Sequence, residues 1–132
     1  MTIQSMNDLF LHGLQDVYYA ENQIAKTLSE MMDQPIEAAL FDNLEHHLEE
    51  TQEQIKRLEQ IFRALGQAPQ GVTCQAILGL IEEGQELVRE IEDEKVRDAG
   101  HARVGSGHGT LRDHALWHAR RLGGPARQHV GR

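Results

Sequence analysis

Two glutamates and their neighbours stand where the sequence could do chemistry. On a helical wheel of about 100° per residue, Glu21 falls near the middle of an apolar stripe, within about 20° of Leu14. A carboxylate there is costly to bury unless it meets a cation, a metal or a proton. Two readings stand side by side: a metal ligand or acid–base group inside a helical bundle, or a glutamate whose stem lies on the core while its head finds water or a lysine. His47, Glu50 and Gln54 follow at i, i+3 and i+7 on a later helical stretch. Residues three and four apart stack on one face, so one ion can touch two of them. His-x-x-Glu is geometrically akin to the Glu-x-x-His of helical di-iron bundles. It is also an ordinary pattern for the solvated edge of an acidic helix. Glu53 points further from the seam and reads as surface.

Other reactive residues carry less. Cys74 sits near a helix start, where thiolates can be stabilised, but without a basic neighbour it reads as an ordinary half-buried cysteine. His46 and His47 are too few for a zinc site. His114 and His118 form an i, i+4 pair, in a segment holding five of the eight histidines, where such pairs arise by chance. The chain has no glycine-rich phosphate loop, nucleophile elbow or Cys-x-x-Cys.

The elements that must position these groups are helices. Phe10, Leu14, Val17, Tyr18, Ile24, Ala25, Leu28, Met31 and Met32 recur at three-and-four spacing, which predicts a helix over 6–33. Ser5 is its N-cap, with Asp8 as a capping-box-like acid. Pro35 disfavours helical geometry at Gln34 and ends it. Phe41, Leu44, Leu48, Thr51, Ile55, Leu58, Phe62 and Leu65 predict a second helix over about 36–65, stopped by Gly66. Two such helices joined by a few residues pack antiparallel as a hairpin. A weaker third helix, about 73–93, carries Ile77, Leu80, Ile81, Leu87, Val88 and Ile91, and reads as a crossover segment lying on the hairpin. Gly79 and Gly84 weaken it by up to about 1 kcal/mol each.

Charge divides the 132 residues. Positions 1–100 hold 20 acids and 7 bases; positions 101–132 hold one acid and six arginines. The acidic body repels nucleic acid and anionic membrane, and the basic end reads as solvated. One cysteine excludes an intrachain disulfide and fits a reducing compartment. No apolar run approaches the roughly 18 residues of a membrane helix, and the start lacks a signal peptide's basic and apolar regions. The expected location is the cytoplasm, with no nucleic-acid or membrane partner.

"LQDVYYAENQIAKTL", "HHLEETQEQIKRLEQIFRALGQAP" and "TCQAILGLIEEGQEL", in that order, closely resemble the ferritin-like YciE/YciF stress-response family, DUF892. The resemblance covers about residues 3–99. It implies four-helix bundles with a long crossover, dimers, and two metal ions held between the helices; no activity is established for the family. By matching motif it makes Glu21 in "YYAENQ" and Glu50 in "HLEETQ" ligands of a divalent metal such as iron, with His47 and Gln54 as close neighbours.

Beyond residue 99 the family continues with a third helix carrying "EHYE" and a fourth rich in Glu and Asp. This chain has neither. Shifting the reading frame by one base lets residues 109–127 encode "EHYEITRYGTLVAWAGQLG", with the glycine forced by Trp117 followed by His118. The tail therefore reads as the family's third helix out of frame. The expected fold is all-α: a ferritin-like helical hairpin plus crossover helix over 1–99, an incomplete four-helix bundle. An aberrant basic tail over 100–132 is irregular apart from one short helix in "TLRDHALWHARRLGG". Apolar stripes left uncovered predict a homodimer of hairpins. Two function classes follow: a ferritin-like metal-binding protein, oxidising Fe(II) with oxygen in the extreme case, or a non-catalytic structural protein of the stress response whose acids only solvate the bundle.

Overall fold

A computed structural model describes residues 2–93 and 95–103. Three helices follow in order, α1 (Met6–Met32), α2 (Ala38–Ala64) and α3 (Gln75–Glu90), and residues 95–103 are also helical. No strand occurs among the described residues. The all-α expectation of a hairpin with a crossover helix, an incomplete bundle, holds.

Local chemistry explains the helix ends. Ser5 has an extended backbone, and its hydroxyl accepts the N–H of Asp8 at 3.1 Å. Asp8 in turn accepts the N–H of Gln4 at 3.0 Å, so two otherwise orphaned donors are satisfied. The Gln4 N–H, with help from the Ser5 hydroxyl, holds the Asp8 carboxyl below its ordinary range. At the far end of α2, Gly66 adopts φ +69°, a left-handed conformation that costs a side-chain-bearing residue about 1–2 kcal/mol. Its N–H reaches the Arg63 carbonyl at 3.0 Å, and the Gln67 N–H reaches the Phe62 carbonyl at 2.9 Å. That paired pattern closes the helix by satisfying its last carbonyls.

α1 packs against both α2 and α3. One apolar cluster joins Ile24, Leu28 and Met31 of α1 to Leu44 of α2 and to Ile77 and Ile81 of α3. A second joins Leu14 and Val17 to Leu58 and Phe62. These pairings fix the antiparallel hairpin: early α1 meets late α2. The link to α3 crosses α1 closely, with Val72 N–H donating to the Gln15 carbonyl at 3.2 Å. Gly71 lies so near Tyr19 that a Cβ there would stand 3.0 Å from the tyrosine Cβ.

Residues 100–103 depart from the irregular tail expected from position 100. Helix continues through residue 103, across the expected division at 99/100. Its start is capped by the Asp93 carboxylate, which accepts the Val96 N–H at 3.0 Å. The Arg97 guanidinium donates back to the Ile91 carbonyl at 3.1 Å, covering the end of α3. Gly100 packs against Ile91, where a Cβ would come within 2.8 Å of its side chain. The expected short helix in the tail and the His114/His118 pair lie outside the described residues.

Candidate metal centre

The two apolar clusters leave a break between them. On α1 it is narrow, between Val17 and Ala20; on α2 it runs from Leu48 to Leu58. Glu21 follows Ala20 on α1, beside the place where the clusters meet, and is only 1% exposed. Thr51, fully buried, occupies the α2 side of the break. Its hydroxyl donates to the His47 carbonyl one turn back, at 2.9 Å, so it is satisfied within its own helix. The expectation that Glu21 points into the seam is met.

The other three expected residues spread across one flank of α2. Leu44, Thr51, Leu58 and Phe62 mark the helix's inward line. Measured from Thr51, His47 lies about 40° away, Gln54 about 60° and Glu50 about 100°, all in the same direction. Exposure rises at the far end of that sweep. His47 and Gln54 are half-buried, and the Gln54 Oε1 is enclosed with no hydrogen-bond partner among the described residues. The Glu50 side chain is 51% exposed and pairs with His46 Nε2 at 3.2 Å. Glu50 therefore does not share the interior with Glu21: the seam position went to its neighbour Thr51. An exposed i, i+4 pair of this kind contributes little to stability.

One turn before Glu21 lies a contact that the sequence pattern did not single out. The Tyr18 hydroxyl donates to Glu59 Oε1 at 3.2 Å, and its ring meets Phe62 edge-on at 5.4 Å between centroids. Burial, then the Glu59 charge, pushes the Tyr18 phenol above its ordinary value. The available signal was a tyrosine, rather than a phenylalanine, in an apolar stripe: a buried phenol normally finds an acceptor. Cys74 is buried in the first cluster, and desolvation raises its thiol pKa, as for an unreactive core cysteine.

Among the described residues, no group of three or more His, Cys, Asp or Glu gathers where it could hold a metal ion. Structural zinc takes four ligands, and octahedral ions take six. One buried carboxylate on α1 and one enclosed amide oxygen on α2 fall short of either set. The described part of a single chain thus fits no closed metal site, and no chemical step is derived through one. What the arrangement does provide is a carboxylate held in an apolar seam, where opposite charge or a proton is strongly favoured.

Comparison with known proteins places the chain. The family model described as "Domain of unknown function (DUF892)" matches residues 5–108, and the chain belongs to that family. Protein YciF of Escherichia coli (strain K12) is 34% identical over 100 residues, which make up 75% of this chain and 60% of YciF. The chain therefore spans less than two thirds of that relative. A solved structure of YcfI from Rhodopseudomonas palustris, named as a proposed structural protein, superimposes with a TM-score of 0.87 at 45% identity, covering 91% of this chain and 76% of that one. Among the described residues no helix is long and apolar enough to cross a membrane.

Proposed function

We propose that this DUF892 member is a ferritin-like protein of the bacterial stress response whose α1–α2 hairpin contributes half of a carboxylate site for a divalent metal such as iron. The observation that carries this reading is Glu21: a carboxylate 1% exposed, set between Ala20 and Ile24 in the apolar line of α1, next to where the two clusters meet. Gln54, with its enclosed amide oxygen, and His47 lie on the flank of the facing helix. Glu50, one further step round that flank, joins them by rotating inward when a partner covers α2.

The other half comes from a second copy across a two-fold axis. Phe41 and Ile61 leave apolar surface exposed on α2, Leu65 does so just past its end, and Met6 does so at the start of α1. Pairing two hairpins brings two copies each of Glu21 and Glu50 together, and a bound divalent cation supplies the positive charge that offsets their burial. The family's own route to a second half is its third and fourth helices. We read the basic tail as that third helix out of frame, so one inserted or deleted base should appear in the nucleotide sequence around codons 98–102.

A non-catalytic structural role is the second reading. It draws on the lack of a three-ligand group among the described residues and on the likeness to YcfI. Metal analysis of untagged protein separates the two. The metal-site reading expects a divalent metal in the wild-type chain and its loss in Glu21→Ala, with a smaller loss in Glu50→Ala. Equal content in all three proteins leaves the structural reading. Light scattering on the same samples is expected to report a dimer.

A further inference from the structure

A cavity of about 350 Å³ opens between α1, α3 and the helical residues 95–103, and Glu21 is not among its walls. α1 lines it with Thr27, Glu30 and Met31, α3 with Val88 and Arg89, and the last segment with His101. His101 is 5% exposed, and its Nε2 is enclosed with no hydrogen-bond partner among the described residues. A buried imidazole nitrogen in that state is expensive, and the expense is recovered only when a partner arrives. Burial also pulls this imidazole below the ordinary histidine range, with Asp98 opposing and Arg97 reinforcing the shift, so His101 is neutral at pH 7.

The remaining charges are two, and they are opposite. Glu30 and Arg89 stand on different helices and line one cavity, yet no ion pair within 4.0 Å joins them among the described residues. An anion alone would meet the Arg89 guanidinium but also face the Glu30 carboxylate; a cation alone meets the converse problem. A molecule that carries both charges can meet both walls. The volume lies in the range of small-molecule sites, and Met31 and Val88 add apolar wall between the polar groups.

We infer that this cavity binds a small zwitterion with the chemistry of an α-amino acid. Its carboxylate sits on Arg89, its ammonium on Glu30, and its side chain lies along Met31 and Val88 with a polar end turned to His101. The site is independent of the metal reading, because Glu21, His47, Glu50 and Gln54 are not among its walls.

The test is a ¹⁵N NMR titration of the full chain with L-glutamine, alongside glutaramic acid, which lacks the ammonium, and 4-aminobutanamide, which lacks the carboxylate. Saturable shifts are expected at residues 27–34, 84–89 and 101, with each truncated analogue at least about tenfold weaker, the usual weight of one charge-assisted hydrogen bond. Arg89→Gln and Glu30→Gln are each expected to weaken L-glutamine about tenfold. Both side chains are exposed, so the melting temperature without ligand should stay unchanged. No saturable shift up to about 10 mM, well past the weak end of useful affinity, overturns the inference. So does equal binding of the analogues, or unchanged binding in both variants.

Discussion

Replacing Phe62 with alanine removes the ring that ties the end of α2 to the start of the α1 stripe. Phe62 is fully buried, it packs with Leu14, Val17 and Leu58, and its ring stands 75° to that of Tyr18. A buried Phe→Ala change costs about 3–5 kcal/mol, of which the edge-on aromatic pair accounts for about 0.5–1.5. For a chain of this length, about 4 °C of melting temperature is lost per kcal/mol, so the expected fall is roughly 12–20 °C. The neighbouring Ile61 is 40% exposed and serves as the control. Its truncation should cost less than about 1 kcal/mol in dilute protein, since it leaves no cavity in the chain's own core. Thermal melts followed by circular dichroism, at two protein concentrations tenfold apart, read both effects. The Phe62→Ala loss should be the same at each concentration. The Ile61→Ala loss should grow at the higher one, where pairing covers α2. Equal losses for the two variants, or a Phe62→Ala loss below about 1 kcal/mol, would refute the register in which late α2 packs on early α1.

Gly66 and Gly79 should respond to alanine in opposite directions. Both have open space where a Cβ would go, but only Gly66 has positive φ, so Gly66→Ala should destabilise by about 1 kcal/mol and Gly79→Ala stabilise by about 0.5–1, read by urea denaturation. Docking of residues 95–103 should be sensitive to pH. The His101 pKa is depressed in the folded chain, so docking is fully present above the ordinary value of 6.5 and is lost as pH falls from there through the folded pKa. Amide exchange at residues 97–101 should speed up over that window beyond its intrinsic pH trend, and His101→Leu should remove the excess. An unchanged profile in that variant contradicts the assignment.

Most of the hairpin was legible because its signals are local. Ser5 with Asp8 and Gly66 at a helix end act through the backbone within a few residues, and the three-and-four spacing marked the inward line of both long helices, except that Phe41 and Leu65 at the ends of the second stripe are exposed. Glu21 was legible for the same reason: its angle on α1 alone places it in the seam. Glu50 was harder, because the resemblance supplied a role while the wheel angle put Thr51 inside instead. The Tyr18–Glu59 bond joins residues 41 apart, and nothing in either local pattern selects that partner. The corner built by Asp93, Arg97 and Gly100 depends on how closely two helical segments approach, which composition does not encode. The same holds for the cavity at His101, whose walls come from three separate stretches.

In the proposed function Glu21 is the buried carboxylate of a site that two hairpins complete. Its most direct test is anomalous diffraction from crystals of the full chain grown with Mn(II). A peak is expected between paired hairpins, about 2.0–2.4 Å from a Glu21 carboxylate oxygen of each copy. Crystals that show manganese elsewhere, or none at all, with Glu21 enclosed and unligated, would contradict it.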